Sequence, residues 1–338
     1  MLEDISFKDY RPGLPGTPDL EKASTHLSIG WVEYRATLTP KYWIVWRDVV
    51  LCYLLLLLGV VALIFTQNIF NISWFGLVIA LVLAVWIGYW LHAISLFLHE
   101  AVHYNVHPDP KKNDWWTNLI ICPLHFISVD LYRKIHWPHH LNLGTPEDTE
   151  QSYFNALSLR FIFETLSGVH AFRTLFSYYN HYRQPANKTV ASNSFRWNDS
   201  LKFVLVHLAI LGVFIFFGQY LAAGGWAVGV GVFWPFFGTI RQLLRHRSEN
   251  ADPAIDYYKM PHGTTMRMFG DDWFSKTFGP AGFNRHMLHH WDPRISYTRL
   301  KDVEEYFKKT PLAPTIKSGR TSYWSIAKIL FKKSKSIK

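Results

Sequence analysis

The sequence is short of the residues on which several common chemistries depend. Its 338 residues include two cysteines, Cys52 and Cys122, both in apolar surroundings and neither in a metal or redox spacing. A disulfide framework and a thiolate cluster are therefore not expected, and the pair reads as packing residues in a reducing compartment. A glycine-rich dinucleotide fingerprint is missing too, as is a fused haem module, so electrons for any redox reaction would come from outside the chain. Charge is scarce, at 18% against 49% hydrophobic residues, which favours a membrane class. The opening MLEDISFKDYRPGLPGTPDL has no basic stretch before an apolar core, so it reads as a flexible or surface-lying arm and not as a signal peptide. The formal charge is +10, yet no interleaved basic and aromatic stripe or groove-reading motif accompanies it, so no nucleic acid partner is expected.

Four apolar runs approach the length of about 20 residues needed to cross a bilayer. They lie at about 45–66, 74–98, 201–218 and 220–240 and pair into two hairpins. Small residues in AAGGWAVGVGVFWPFFG permit close helix contact in the last run, and Pro235 would kink its end. Leu119–Val129 and Leu157–Leu175 are too broken or amphipathic to span and read as interfacial or packing helices. Lys and Arg number six in residues 1–48, nine in 99–200 and nineteen in 241–338, and Lys202 completes the 35; the short turns 67–73 and 218–219 carry none. The positive-inside bias then puts both termini and the central loop in the cytoplasm, in a bacterial inner membrane or the endoplasmic reticulum. The expected fold is an all-α integral membrane protein: an N-terminal arm (1–44), a four-helix membrane domain with a cytoplasmic helical cap (45–300), and a basic tail (301–338). The end of that tail, KILFKKSKSIK, is expected either to lie on anionic lipid or to be solvated.

Seventeen histidines are present, and they cluster. His99, His103 and His107 are spaced to share one face of a continuous helix. His136, His139 and His140 form an HxxHH box, and His286, His289 and His290 repeat it. Imidazole suits iron, copper, nickel and zinc, and one metal seldom takes more than about four to six donors, so eight histidines in three boxes imply two metals. Two membrane crossings separate the last two boxes, which returns all three to one side. Glu100, Asp148, Glu249 and Asp292 are candidates to orient ligating imidazoles by accepting their second N–H. His92 and His207 fall inside apolar runs, where a functional group and a hydrogen-bonded core histidine are both open readings. His26, His125, His170, His181 and His262 are assigned no role.

The three boxes, in the contexts HEAVHYNVHPDPKKNDWW, HWPHHLNLGTPEDTE and FNRHMLHHWDPRISY, resemble the membrane fatty acid desaturase and hydroxylase superfamily over roughly residues 90–300. The resemblance implies a non-haem di-iron centre on His99, His103, His136, His139, His140, His286, His289 and His290, with His107 as a further candidate. The family often has one more ligand before the last box, in an RxxEH-type context. Here the chain reads RHRSEN, and either His246 or Asn250 fills that position, directly or through a held water, with His246 preferred. The implied activity is dioxygen-dependent desaturation of a fatty-acyl or other lipid-like substrate. Hydroxylation is the alternative, since the TPED run also resembles alkane-hydroxylating relatives. A basic cytoplasmic face would suit an acidic ferredoxin or b-type cytochrome, with its reductase, as donor. A rival class is an HExxH zinc hydrolase on His99-Glu100-Ala-Val-His103, which explains one box and leaves the other two as coincidence. A bis-histidine haem protein and a metal transporter fit less well, because they want facing helix ligands or midplane sites.

Overall fold

The computed structural model describes residues 14–174, 176 and 197–335; His181 and the first 13 residues lie outside them. The described residues are mostly helical, with almost no strand. Two long helices, α3 (Tyr42–Phe70) and α4 (Trp74–Val102), follow two short ones, α1 (Leu20–Ser24) and α2 (Trp31–Ala36). After α5 (Pro110–Ile120), α6 (Val129–Asn142) and α7 (Leu159–Leu166) come α8 (Trp197–Phe216), α9 (Tyr220–Val228) and α10 (Trp234–His246). Short helices α11 (Trp273–Phe278), α12 (His286–Trp291), α13 (Leu300–Phe307), α14 (Ala313–Ser318) and α15 (Tyr323–Lys335) close the chain. The only strands among the described residues are β1 (Met268–Phe269) and β2 (Arg320–Thr321), paired in parallel.

Among the described residues, three helical stretches are long and apolar enough to cross a membrane: Tyr42–Phe70, Trp74–Val102 and Tyr220–His246. Their outward residues suit lipid, since Leu54, Leu57, Leu58 and Phe65 on α3 and Leu81 and Val82 on α4 are all more than half exposed. An apolar surface of that extent is not left against water. The third expected run has the shorter apolar stretch Leu201–Phe216, which at about 1.5 Å per residue covers roughly 24 Å of a core about 30 Å thick. The fourth is one continuous helical path in which Gly229–Phe233 forms a π-turn between α9 and α10. Pro235 sits in the first turn of α10, where its missing N–H is absorbed by that irregularity.

Glycine fixes how closely these helices cross. A Cβ on Gly88 of α4 would stand 2.4 Å from Phe233 Cβ, 2.7 Å from the Trp234 nitrogen and 2.8 Å from the Gly229 oxygen, and one on Gly225 would meet Leu63 of α3 at 2.7 Å. The Gly88 neighbours include backbone, which cannot swing aside. Gly88→Val is therefore expected to separate α4 from α10 at a cost of about 1–3 kcal/mol or more, read as a lowered melting temperature and a reduced monodisperse peak in detergent.

The expected arm and tail are packed elements over the described residues. Leu20, Trp31 and Leu38 share a core with Met287, Leu288, Trp291, Val303, Phe307 and Ile316, and Tyr323, Ile326 and Leu330 of α15 join Leu243 and Leu244 of α10. Their apolar residues are spaced among charged and polar ones in the sequence, which hides a buried stripe. Leu119–Val129 is likewise not one helix: α5 ends at Ile120, a 3-10 turn covers Cys122–Leu124, and α6 starts at Val129.

Candidate metal centre

The C-terminal ends of α4 and α10 meet α6 and α12, and this junction gathers nine imidazoles. His99, His103, His136, His140 and His289 form one group and His139, His246 and His290 another; within each, one ring nitrogen per residue lies within 4.8 Å of all the others. His286 adjoins the second group, with its Nε2 3.0 Å from Nε2 of both His246 and His290. None of the nine is more than 4% exposed.

Helix geometry explains the HxxHH spacing. Residues i and i+4 stand above one another, while i+3 is turned about 100° away from i+4. On α6, His136 and His140 enter the first group, with Nε2 atoms 3.0 Å apart, and His139 turns to the second. On α12 the assignment reverses: His286 and His290 serve the second group, while His289 Nε2 comes 3.2 Å from His140 Nε2. Each HxxHH box thus feeds both groups and ties them together, while His99 and His103 serve the first group alone.

Three imidazoles are fixed by what their other nitrogen touches. His136 Nδ1 is 2.8 Å from Glu150 Oε1, His139 Nδ1 is 2.8 Å from Asp148 Oδ1, and His246 Nδ1 is 3.0 Å from the Thr265 carbonyl. Each Nδ1–H donates outward, so each Nε2 presents a lone pair inward. Burial, then neighbouring imidazoles, holds His140 and His290 well below the usual histidine range; burial, then Arg245 and the neighbouring imidazoles, does the same for His286. Burial also opposes the charged form of His139, but Asp148 and Glu150 outweigh it and push that group up. For Glu150, burial is outweighed by His139 and His136, and the carboxyl is held below the usual carboxylate range. Both ring nitrogens of His99 and His103 and Nδ1 of His140 are buried without a hydrogen-bond partner. Orphaned imidazole nitrogens facing other lone pairs are costly unless a cation lies among them, so the residues present fit a metal.

Six of the sequence candidates stand outside these groups. His107 is half-exposed, and its Nδ1 accepts the Asp109 backbone N–H at 3.0 Å. The continuous helix that would align it stops at Val102, where Arg133 and Asn113 bind the Ala101 and Val102 carbonyls and Tyr104 takes φ +59°. Asn250 is exposed, four residues past the end of α10. Glu249 faces Arg267 at 3.4 Å. Asp292 is buried against Arg294 at 2.8 Å and Arg35 at 3.5 Å, not against an imidazole. Glu100 accepts the Tyr297 backbone N–H at 3.2 Å and stands 3.7 Å from His99 Nδ1. His207 is a satisfied core histidine, accepting from Trp226 Nε1 at 3.1 Å and donating to the Leu124 carbonyl at 3.4 Å.

Glu150 is the group the sequence reading passed over. Gly144, at φ +79°, turns the chain so that TPEDTE runs back along α6, laying Asp148 on His139 and Glu150 on His136. Tyr132 and Gln242 also donate to Glu150, at 3.1 and 2.6 Å, and Tyr153 donates to Asp148 at 2.5 Å. An acid two residues past a chosen one, in the same returning loop, was the available signal. Glu150→Gln is expected to weaken metal retention about 10–100-fold with the helical content unchanged, measured by competition with a chelator.

Fold and site together define a helical protein with membrane-length helices and a buried multi-histidine centre of metal-binding type. The chain belongs to the fatty acid desaturase family, whose model matches residues 72–316, and this span contains all nine imidazoles. A comparison with curated proteins gives no match. Family and site make the protein an oxidoreductase of a lipid-metabolism type.

Proposed function

We propose that the protein is an integral membrane, dioxygen-dependent lipid desaturase in which the nine buried histidines hold two iron ions. The observation that carries this reading is the division of the imidazoles into adjoining groups of five and four, each of a size that suits one metal. Bound there, an iron pair would supply, with dioxygen, the oxidising power that an unactivated C–H bond requires. The HExxH zinc reading needs Glu100 as a free base and leaves six further imidazoles without a purpose, whereas Glu100 is buried and accepts from Tyr297.

The chain's own residues set up the reaction. Asp148, Glu150 and the Thr265 carbonyl hold their imidazoles in one tautomer, so no ring has to reorient. Burial of the whole cluster excludes water that would compete for the oxidant. Desaturation balances as R–CH2–CH2–R′ plus dioxygen, two electrons and two protons giving the alkene and two waters. The electrons come from a separate acidic ferredoxin or b-type cytochrome with its reductase, docking on the exposed lysines, among them Lys111, Lys112, Lys308 and Lys309. The proposed topology has two helix hairpins, α8 crossing as the third span in chain order, with termini and centre in the cytoplasm. An acyl chain would then reach the histidines from the bilayer.

Protein in nanodiscs, given a fatty-acyl substrate, a reducing system and 18O2, is expected to yield product two mass units lighter with the label in water. A product heavier by one labelled oxygen would reassign the protein to hydroxylation, and no dioxygen-dependent product with any lipid class would contradict the proposal.

A further inference from the structure

Beside the histidines lies positive charge that forms no ion pair among the described residues. Arg241 and Arg245 stand one turn apart on α10 and are only 9% and 3% exposed. Both guanidinium carbons lie 4.3 Å from the centroid of the Phe283 ring. Nε and Nη1 of Arg241 and Nη1 of Arg245 have no hydrogen-bond partner, and Arg245 Nε donates only to the Arg241 carbonyl, at 3.3 Å. Two further buried polar atoms nearby are also unpartnered, Tyr323 Oη and His92 Nε2. Gly238, on the same helix, approaches His92, and the phenol of Tyr323, pushed up by burial, is drawn the other way by Arg245 and Arg241.

The neighbouring carboxylates are already engaged. Glu150 is held by His136, Tyr132 and Gln242, Asp148 by His139 and Tyr153, and Glu304 by Arg285 and Arg320. Two guanidiniums at i and i+4 repel each other, and burying a charge without a partner is strongly unfavourable. One phenyl ring attracts both cations but offers no acceptor to their N–H groups. A planar fork of N–H donors is matched by a carboxylate or phosphate.

We propose that Arg241 and Arg245, with Tyr323 and His92 beside them, bind an oxyanion at the head of the lipid substrate. This rests on the reading of the protein as a lipid oxidase. The Phe283 ring that carries both arginines also lies 4.7 Å from His99 and 5.0 Å from His286. One ring's width therefore separates the anion from the imidazoles, and the head-proximal part of the chain is the part that reaches them.

The test is equilibrium binding to the purified full-length protein in detergent, with palmitate, methyl palmitate, hexadecanol and inorganic phosphate as probes. Metal content is measured on the same samples. Palmitate is expected to bind at least about tenfold tighter than the ester and alcohol, and the R241Q/R245Q double variant to lose that preference while keeping its metal. Phosphate binding as well as palmitate, and lost in the same variant, would keep the site but make its ligand a free anion. Equal binding of the three long-chain probes to the unaltered protein would overturn the proposal, and needs no variant to fold. So would a double variant, or an R241M/R245M pair if the glutamines misfold, that keeps the full preference. Loss of the preference with metal retained leaves the oxidase reading standing; absence of iron from the unaltered protein defeats that reading whatever the probes do.

Discussion

His140→Ala is expected to abolish product formation, while His107→Ala leaves it intact. His140 Nε2 approaches His136 and His289 at 3.0 and 3.2 Å, so one substitution removes a nitrogen from the middle of the five-imidazole group. Even outer partners of metal ligands are worth about 10–100-fold, so loss of this nitrogen should cost more than about 100-fold in turnover. The pair of variants separates chemistry from composition, because both remove a histidine from the same region and only one lies in the cluster. Product formation and circular dichroism on both proteins check it. Equal losses would mean that the grouping of these imidazoles has no catalytic meaning, and so would equal retention.

His246→Ala is expected to be as severe as any box substitution, and Asn250→Ala near neutral. His246 bridges the second group, with Nε2 3.0 Å from His286 and Nδ1 on the Thr265 carbonyl, whereas Asn250 is exposed beyond the helix end. The expected result is loss of about one metal per chain in His246→Ala and none in Asn250→Ala, read by metal analysis with the melting temperature as a folding control. A defect in Asn250→Ala alone would return the position to the water-held alternative.

Much of this centre is legible in the sequence because its information is local. Spacing on a helix decides which face an imidazole takes, so HxxHH announces convergence, and Asp148 could be chosen from its returning loop. His107 shows where that logic stops: its alignment with His99 and His103 required α4 to continue, and the break after Val102 depends on Arg133, from a segment some thirty residues on. Glu249 stands apart for a related reason, since its partner Arg267 comes from another segment, whereas Asp292 is held by Arg294, two residues on, as well as by the distant Arg35. The Thr265 carbonyl on His246 is backbone and carries no side-chain signal at all. In the fold, apolar length announced the long helices, while the packing of residues 14–44 and α15 did not show because their apolar positions are spaced among charges.

The central claim is a two-metal centre held only by imidazoles, and the most direct test is the metal content of the purified protein by mass spectrometry with an optical spectrum. The account predicts close to two irons per chain, no haem band, and a fall in iron when His140 or His246 is replaced. One zinc per chain, unchanged by either replacement, would contradict it.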